Sequence, residues 1–118
     1  MNNELKKERL LVNENSFLNK RDRERLPPLY SQEKNRNPKA QVHYFDVFSK
    51  WHWYAIEFDG KDLFFGLVLG LEEELGYFSL SDFIELNETS KKTYIVKDSK
   101  FKPQSIKEIR RKWQNHGS

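Results

Sequence analysis

The residues of this sequence that could carry acid–base or metal chemistry are a few carboxylates, three histidines and several serines. Asp59, Asp62 and the run Glu72–Glu74 offer the hard oxygen ligands that Mg²⁺ prefers. No histidine or lysine lies at a spacing that would supply a base, and both acidic groups fall in predicted turns. Solvated hairpin ends are therefore the favoured interpretation, with a metal-dependent hydrolase as the alternative.

Nucleophilic catalysis would have to use Ser79 or Ser81 with His52 as the base. No Gly-x-Ser-x-Gly elbow surrounds either serine, and both are better suited to cap a helix. The sequence has neither of the common phosphate-binding glycine loops, and its lack of cysteine excludes disulfides, thiolate catalysis and Cys-based zinc sites. We therefore predict no catalytic residue, no metal site and no cofactor.

Charge is arranged in three blocks that the net charge of +3 conceals. Residues 1–39 carry ten basic and six acidic side chains, residues 40–89 two and ten, and residues 90–118 nine and two. We expect the basic ends to contact nucleic acid or an acidic protein surface, with a merely solvated helix face as the alternative. The residues assigned to this contact are Arg21, Arg23, Arg25, Lys102, Lys107, Arg110, Arg111 and Lys112.

Aromatic residues are concentrated in the acidic block, with twelve of the seventeen between Tyr44 and Phe83. A base-stacking platform would interleave such rings with cations, yet this block offers only Lys50 and Lys61. Packing in a core or a protein interface is therefore favoured over base stacking. The rings assigned to that core or interface are Trp51, Trp53, Tyr54, Phe64, Tyr77 and Phe78.

Four strands are predicted in the aromatic block, because β-branched and aromatic residues fill the intervals between turn residues. The strands are 41–48, 51–58, 63–69 and 76–79. Asp59-Gly60 favours a tight hairpin turn, and Glu72–Glu74 is assigned to the next loop. Neighbouring rings such as Phe64 and Phe65 point to opposite faces of the sheet, so we expect helices from the two ends of the chain to cover both faces.

The clearest helix signal is the Ser-x-x-Glu capping box at Ser105 and Glu108. It predicts a helix over 105–113, with Ile106, Ile109 and Trp113 on one stripe. A shorter helix is predicted from Ser79 or Ser81 to about Leu86, followed by an edge strand over 92–96. In the N-terminal third of the chain, residues 5–12 and 17–26 are compatible with helix, and residues 31–40 are typical of an exposed linker.

With 118 residues the chain has room for one domain. The predicted class is α+β: a four- or five-stranded antiparallel meander sheet with N- and C-terminal helices. We divide the chain into an N-terminal extension (1–16), an α+β domain (17–103) and a basic C-terminal helix and tail (104–118). A homodimer is expected because an uncovered sheet edge or face is costly in water. The absence of a long apolar run and of a secretory signal predicts a cytoplasmic protein.

Several unusual sequence blocks occur in order along residues 18–103: Arg25-Leu-Pro-Pro-Leu-Tyr30, Trp51-His-Trp-Tyr54, Glu57-Phe-Asp-Gly60, Asp62-Leu-Phe-Phe-Gly66, Glu74-Leu-Gly-Tyr-Phe-Ser-Leu80 and Phe101-Lys-Pro103. Together these blocks resemble a bacterial domain-of-unknown-function family of plasmids and conjugative elements. The N-terminal extension and the basic C-terminal helix depart from the short members of that family. The resemblance implies an association with mobile elements and defence rather than a particular reaction.

A branch of such small proteins, to which the chain is similar, is associated with type II CRISPR loci. This similarity implies a non-enzymatic accessory protein that binds the RNA-guided effector nuclease and modulates its DNA binding or cleavage. In the favoured interpretation, the protein promotes the action of the nuclease. An inhibitor of the nuclease would have the same sequence features. The alternative is a nucleic-acid-binding accessory protein of mobile elements that contacts DNA or RNA through its basic ends without a nuclease partner.

Overall fold

The structure is a computed structural model that describes residues 16–115. The predicted helix over 5–12 and all but the last residue of the extension 1–16 lie outside the described residues. The described elements follow the chain in this order: α1 (Lys20–Arg25), β1 (Lys39–Ala40), β2 (Val42–Asp46), β3 (His52–Phe58), β4 (Leu63–Leu69), β5 (Glu73–Ser79), α2 (Leu80–Thr89), β6 (Ile95–Lys97), β7 (Gln104–Ser105) and α3 (Ile106–Asn115).

A five-stranded antiparallel sheet in the order β5-β4-β3-β2-β6 forms the centre of the molecule. Strands β2 to β5 are consecutive neighbours, and β6 returns to pair with the outer side of β2. The short strands β1 and β7 pair with each other in a second, two-stranded sheet. The predicted α+β class with an antiparallel meander and helices at both ends is thus confirmed.

The predicted turn at Asp59-Gly60 connects β3 to β4. Gly60 has a φ of 88°, a conformation that a residue with a side chain adopts at a cost. The Oδ1 atom of Asp59 accepts hydrogen bonds from the backbone N–H groups of Lys61, Asp62 and Leu63 at 2.8 to 3.0 Å. The aspartate therefore satisfies backbone donors that the open turn leaves without partners.

One face of the sheet, here called the first face, packs against the segment around α1 and against α2. Its centre is aromatic, with Tyr44 and Phe64 fully buried and Phe83 of α2 5.0 Å from the Tyr44 ring. The Tyr44 hydroxyl donates to the Phe17 carbonyl oxygen at 2.8 Å, which satisfies the polar end of a buried ring. A bulge between Ala55 and Glu57 shifts the register of β3 against β4, so that Phe58 pairs with Phe64 and the two rings stack.

The opposite, second face packs against α3. Ile106 and Ile109 are buried against apolar residues of β3 and β4, and Trp113 packs at the edge of the same cluster. The predicted stripe of three residues on one side of the C-terminal helix is therefore present. Ser105 Oγ accepts from the Glu108 N–H at 3.3 Å, whereas the Glu108 carboxylate binds Arg111 instead of returning to the cap.

The assignment of Glu72–Glu74 to a loop is wrong for its last two residues. Glu73 and Glu74 begin β5, opposite Leu69 and Val68 of β4. An edge strand tolerates carboxylates because its side chains reach solvent, and the half-buried Glu73 also lies beside Arg110. Polar composition therefore concealed the first half of this strand.

The interpretation of residues 31–40 as an exposed linker is wrong at its end, where Ala40 is fully buried and pairs with Gln104. The start of the segment is held by Glu57, which is 4% exposed and accepts the backbone N–H groups of Tyr30 and Gln32 at 2.9 and 2.7 Å. These bonds hold Tyr30 at a φ of 70°, which is strained for a tyrosine. The segment is thereby fixed to β3.

The helix and edge-strand boundaries differ from the predicted ones by a few residues. Asn19 and Asp22 form a capping box that starts α1 at Lys20, so this helix is shorter than 17–26. Ser79 caps α2, which extends to Thr89 because Thr89 can bond back to the Glu85 carbonyl. Strand β6 is shifted from 92–96 to Ile95–Lys97, and α3 covers 106–115 instead of 105–113.

Candidate functional site

A concave surface of about 660 Å³ lies between α1 and the connection from β6 to β7. The predicted basic residues Arg21 and Arg25 approach it from α1, and Lys102 approaches it from the connection. The structure thus brings together cations that are almost eighty positions apart in the sequence. Lys97 and Lys100, which were not among the predicted contact residues, also line it. We call this surface the basic groove.

Most cations of the basic groove are not neutralised by the protein. Lys97 forms a largely buried ion pair with Asp22, whose carboxylate also accepts the Asn19 N–H in the capping box of α1. The other four basic side chains form no ion pair with any residue between 16 and 115. These four are Arg21, Arg25, Lys100 and Lys102. Asp98 also lines the groove and is close enough to Lys100 for that charge to lower the carboxyl pKa, so the other three cations are the more available to an external anion.

The predicted basic cluster on α3 is separate from the groove and is partly paired. Arg110 Nε lies 3.2 Å from Glu73 Oε2, and Arg111 binds Glu108 one turn earlier. Lys112 Nζ donates to Gln104 Oε1 at 3.1 Å, whereas the Lys107 side chain is exposed. The guanidinium of Arg23, also predicted as a contact residue, lies 5.9 Å from the centre of the Phe58 ring. These contacts make α3 a weaker phosphate surface than the basic groove.

The six aromatic residues singled out in the sequence occupy three environments. Phe64 and Phe78 are in the first-face core, and Trp53 packs on that core with its ring 5.2 Å from Phe83. Trp51 is 36% exposed and stacks on Trp53, while Tyr77 is 53% exposed on the edge strand β5. Tyr54 lies on the second face beside a cavity that sequence reasoning did not identify.

That cavity, of about 420 Å³, lies between the second face, α3 and residues 98–104. At its edge His43 Nδ1 lies 2.9 Å from Asp98 Oδ2, and His43 Nε2 lies 2.8 Å from His52 Nδ1. The His43 ring stacks on Tyr54 at 4.2 Å with an interplanar angle of 4°. We call this space the histidine cavity. Strands β2 and β3 and the segment after β6 all contribute residues to the histidine cavity.

Hydrogen bonding and burial fix the protonation states in the histidine cavity. Desolvation lowers the pKa of both His43 and His52, so both rings are neutral near pH 7. Burial raises the pKa of Asp98, but the hydrogen bonds from His43 and from the Lys100 N–H, together with the nearby positive charge of Lys100, hold this pKa below its usual value. Because the ionised carboxylate only accepts, His43 donates from Nδ1 and accepts from His52 at Nε2. His52 Nε2 is left as an acceptor without a partner among the described residues.

Three rings and two ammonium groups complete the histidine cavity. Tyr54, Phe101 and Trp113 line it with apolar surface, and Lys50 and Lys112 bring positive charge. Burial raises the pKa of the Tyr54 hydroxyl to about 12, so this group stays protonated. The rings offer flat apolar surface to a planar ligand, and His52 Nε2 offers it a hydrogen-bond acceptor.

Part of this cavity could have been found from the sequence. The predicted first hairpin placed His43 and Tyr54 on neighbouring strands, but only the observed register of β2 with β3 makes them cross-strand partners. Asp98 has no such signal, because it reaches His43 only through the return of β6 to the outer side of β2.

The carboxylates and serines considered for catalysis have local structural partners. Asp62 accepts from the Ser81 N–H and Oγ, each at 2.7 Å, and Ser79 caps α2. Within residues 16–115, no cluster of three or more histidine or carboxylate side chains is arranged to hold a metal ion. In the same part of the chain, no helix combines the length and apolar character needed to cross a membrane.

Comparisons with curated proteins and with solved structures give no match to this chain. A family model does match, over residues 6–113, and its description is a protein of unknown function. The match extends on both sides of the segment 17–103 and includes most of α3. Since it spans far more than half of the sequence, the chain belongs to this family, DUF2958.

Proposed function

We propose that this chain is a non-enzymatic accessory protein that binds nucleic acid through the basic groove. The observation that supports the proposal is the convergence of four cations that form no ion pair with the described residues on one concave surface, where they outnumber the carboxylate of Asp98. These four are Arg21, Arg25, Lys100 and Lys102. Cations that bind phosphates release the counterions condensed on a nucleic acid, and this release is the main source of sequence-independent affinity. Such binding would take place in the cytoplasm.

On the sequence alone, this function, nucleic-acid binding without a nuclease partner, is the alternative. The favoured interpretation there is an accessory protein of a nuclease. That this protein binds the effector nuclease of a type II CRISPR system, and promotes or inhibits it, remains a prediction that rests on the resemblance alone. No contact of the described residues favours one sign of the effect over the other. The arginines and lysines of the groove would also be accessible to nucleic acid held by such a partner.

Charge reversal in the groove tests the proposal. We expect the double variant R25E/K102E to bind a fluorescently labelled single-stranded DNA about tenfold more weakly than the wild type in anisotropy titrations, since two phosphate contacts become repulsive. The matched control is K91E/K92E, which makes the same charge change at two exposed lysines that do not line the groove.

Circular dichroism and thermal unfolding check that both variants fold like the wild type, which we expect because both changes are at exposed side chains. Equal loss of affinity in the two variants would indicate a general charge effect and would contradict a groove-specific site. Failure of the wild type to bind DNA or RNA at low salt would overturn the proposal.

A further inference from the structure

The basic groove and the histidine cavity are adjacent. Asp98 and Phe101 line both spaces, so the two spaces meet along the segment that follows β6. This segment contributes Lys100 and Lys102 to the groove and the Phe101 ring to the cavity. A chain of phosphates in the groove would therefore lie within the length of a few residues of an aromatic cavity.

The groups in the cavity match the parts of a nucleotide. Tyr54, Phe101 and Trp113 provide ring surfaces on which a base can stack, and His52 Nε2 can accept a hydrogen bond from a base N–H. The ammonium groups of Lys50 and Lys112 can pair with a phosphate next to that base. A volume of about 420 Å³ lies within the range of small-ligand sites, about 300–1,000 Å³.

We propose that the histidine cavity receives one unstacked base of a single strand whose phosphates lie in the basic groove. The inference rests on the proposed function and specifies its ligand as single-stranded nucleic acid. Asp98 and His43 act as positioning residues, because their hydrogen bonds orient His52 with its unprotonated nitrogen free. Lys50 is one of only two basic residues in the acidic block, and the fold assigns it to this cavity.

A duplex fits this arrangement less well than a single strand. Its bases are paired and stacked, so a base enters a pocket only after unpairing, which costs a few kcal/mol. A single strand avoids most of that cost and can place its phosphates and one base at the same time. We therefore expect single-stranded DNA to bind more tightly than a duplex of the same length.

An abasic strand tests the inference directly, because it has the phosphates of the intact strand but no bases. We expect the wild type to bind a short oligothymidylate about tenfold more tightly than an abasic oligomer of equal length, in line with the contribution of one stacked base. F101L, which keeps apolar bulk but removes the ring, should bring the two affinities together. F48L is the matched control, since Phe48 is 68% exposed and does not line the cavity.

The outcomes separate the two proposals. Equal binding of the intact and abasic strands by the wild type would leave the groove intact as a phosphate site and overturn the base pocket. Binding of neither strand would overturn the proposed function itself. Equal effects of F101L and F48L would also contradict the pocket, because the loss would then not depend on the cavity ring. A melting profile of F101L close to that of the wild type shows that the fold is retained.

Discussion

The fold determines the protonation states of His43 and His52. Both rings are partly removed from water by α3 and the segment after β6, and this desolvation disfavours their charged forms. Asp98 opposes the effect but does not reverse it. Tyr54, Lys50 and Lys112 also line the cavity, so the pair lies among one carboxylate, one neutral hydroxyl and two cations.

A first prediction concerns the dependence of stability on pH. In the unfolded chain both histidines have a pKa near 6.5, above their folded values, so the unfolded state takes up protons first as the pH falls. We expect the free energy of unfolding to decrease as the pH is lowered from 7 through 6.5 and towards the folded pKa values. Urea unfolding at a series of pH values measures this.

The double variant H43Q/H52Q should show a flatter profile over the same interval, although its absolute stability is lower. Asp98 acts in a separate window, because its lowered pKa removes stability only as the pH falls below about 4. A wild-type profile that is flat between pH 7 and 5.5 would contradict the assignment of neutral rings.

Glu72 and Glu73 provide a second prediction for individual side chains. Glu73 is half-buried beside Arg110, whereas Glu72 is exposed in the turn before β5. We expect E73A to lower the free energy of unfolding by about 1 kcal/mol, as for a partly screened ion pair, and E72A to leave it unchanged. Chemical denaturation of both variants checks this, and equal effects would show that the Arg110 contact contributes nothing.

At the scale of elements, β4 is the strand on which the sheet depends most, since it pairs over its whole length with β3 and β5. Gly66 at its centre lies opposite Ala55, where the backbones approach closely. A Cβ atom added there would lie 2.0 Å from the Tyr54 carbonyl oxygen, whereas one added at Gly76 of β5 would meet nothing within 4 Å. The two glycines thus have different roles in paired strands.

We expect G66A to destabilise the protein by more than about 2 kcal/mol, because the backbone of β3 cannot move away without breaking its ladder. G76A should be neutral or stabilising by up to about 1 kcal/mol, since it restricts the unfolded chain without a clash. Thermal or urea unfolding compares the two directly. A tolerated G66A would mean that β3 and β4 are not held in this register.

The sequence predicted those elements whose signals are local and missed features that depend on pairing. Strand β4 agrees with its predicted range at both ends because a short apolar run between the Asp59-Gly60 turn and Gly70 marks it. The first half of β5 was missed because its carboxylates are typical of loops, and the Asp98–His43–His52 chain was missed because it requires the return of β6. The basic residues were identified, but not which of them converge.

At the scale of the whole molecule, helices of the same chain pack on both faces of the central sheet, but the β5 end of the second face stays open. There Phe65, Leu75 and Tyr77 line a concave surface of about 490 Å³. The expectation of a dimer therefore rests on the β5 end of the sheet, where an edge and part of a face are accessible. Edge strand β5 exposes Leu75 and Tyr77, at 45% and 53%, and Leu71 just before it is 90% exposed. This edge is where a second copy would add a strand.

The homodimer expected from the sequence remains a prediction, and we place its contact at β5. Light scattering at micromolar concentration should give about twice the monomer mass of 14.3 kDa, and Y77K should shift the protein to the monomer by placing a charge on the edge. L86K is a suitable control because Leu86 is 39% exposed on α2, away from that edge. A monomeric wild type would remove the dimer from consideration.

The dependence of DNA affinity on salt tests the basic groove most directly, because it counts the phosphates that the protein neutralises. For single-stranded DNA, the logarithm of the affinity should fall linearly with the logarithm of the salt concentration, with a slope of about −0.7 for each phosphate contact. We expect the slope of R25E/K102E to be shallower by about 1.4, the value for two lost contacts, while K91E/K92E keeps the wild-type slope. A wild-type affinity that does not change with salt, or identical slopes for all three proteins, would contradict a phosphate-binding groove.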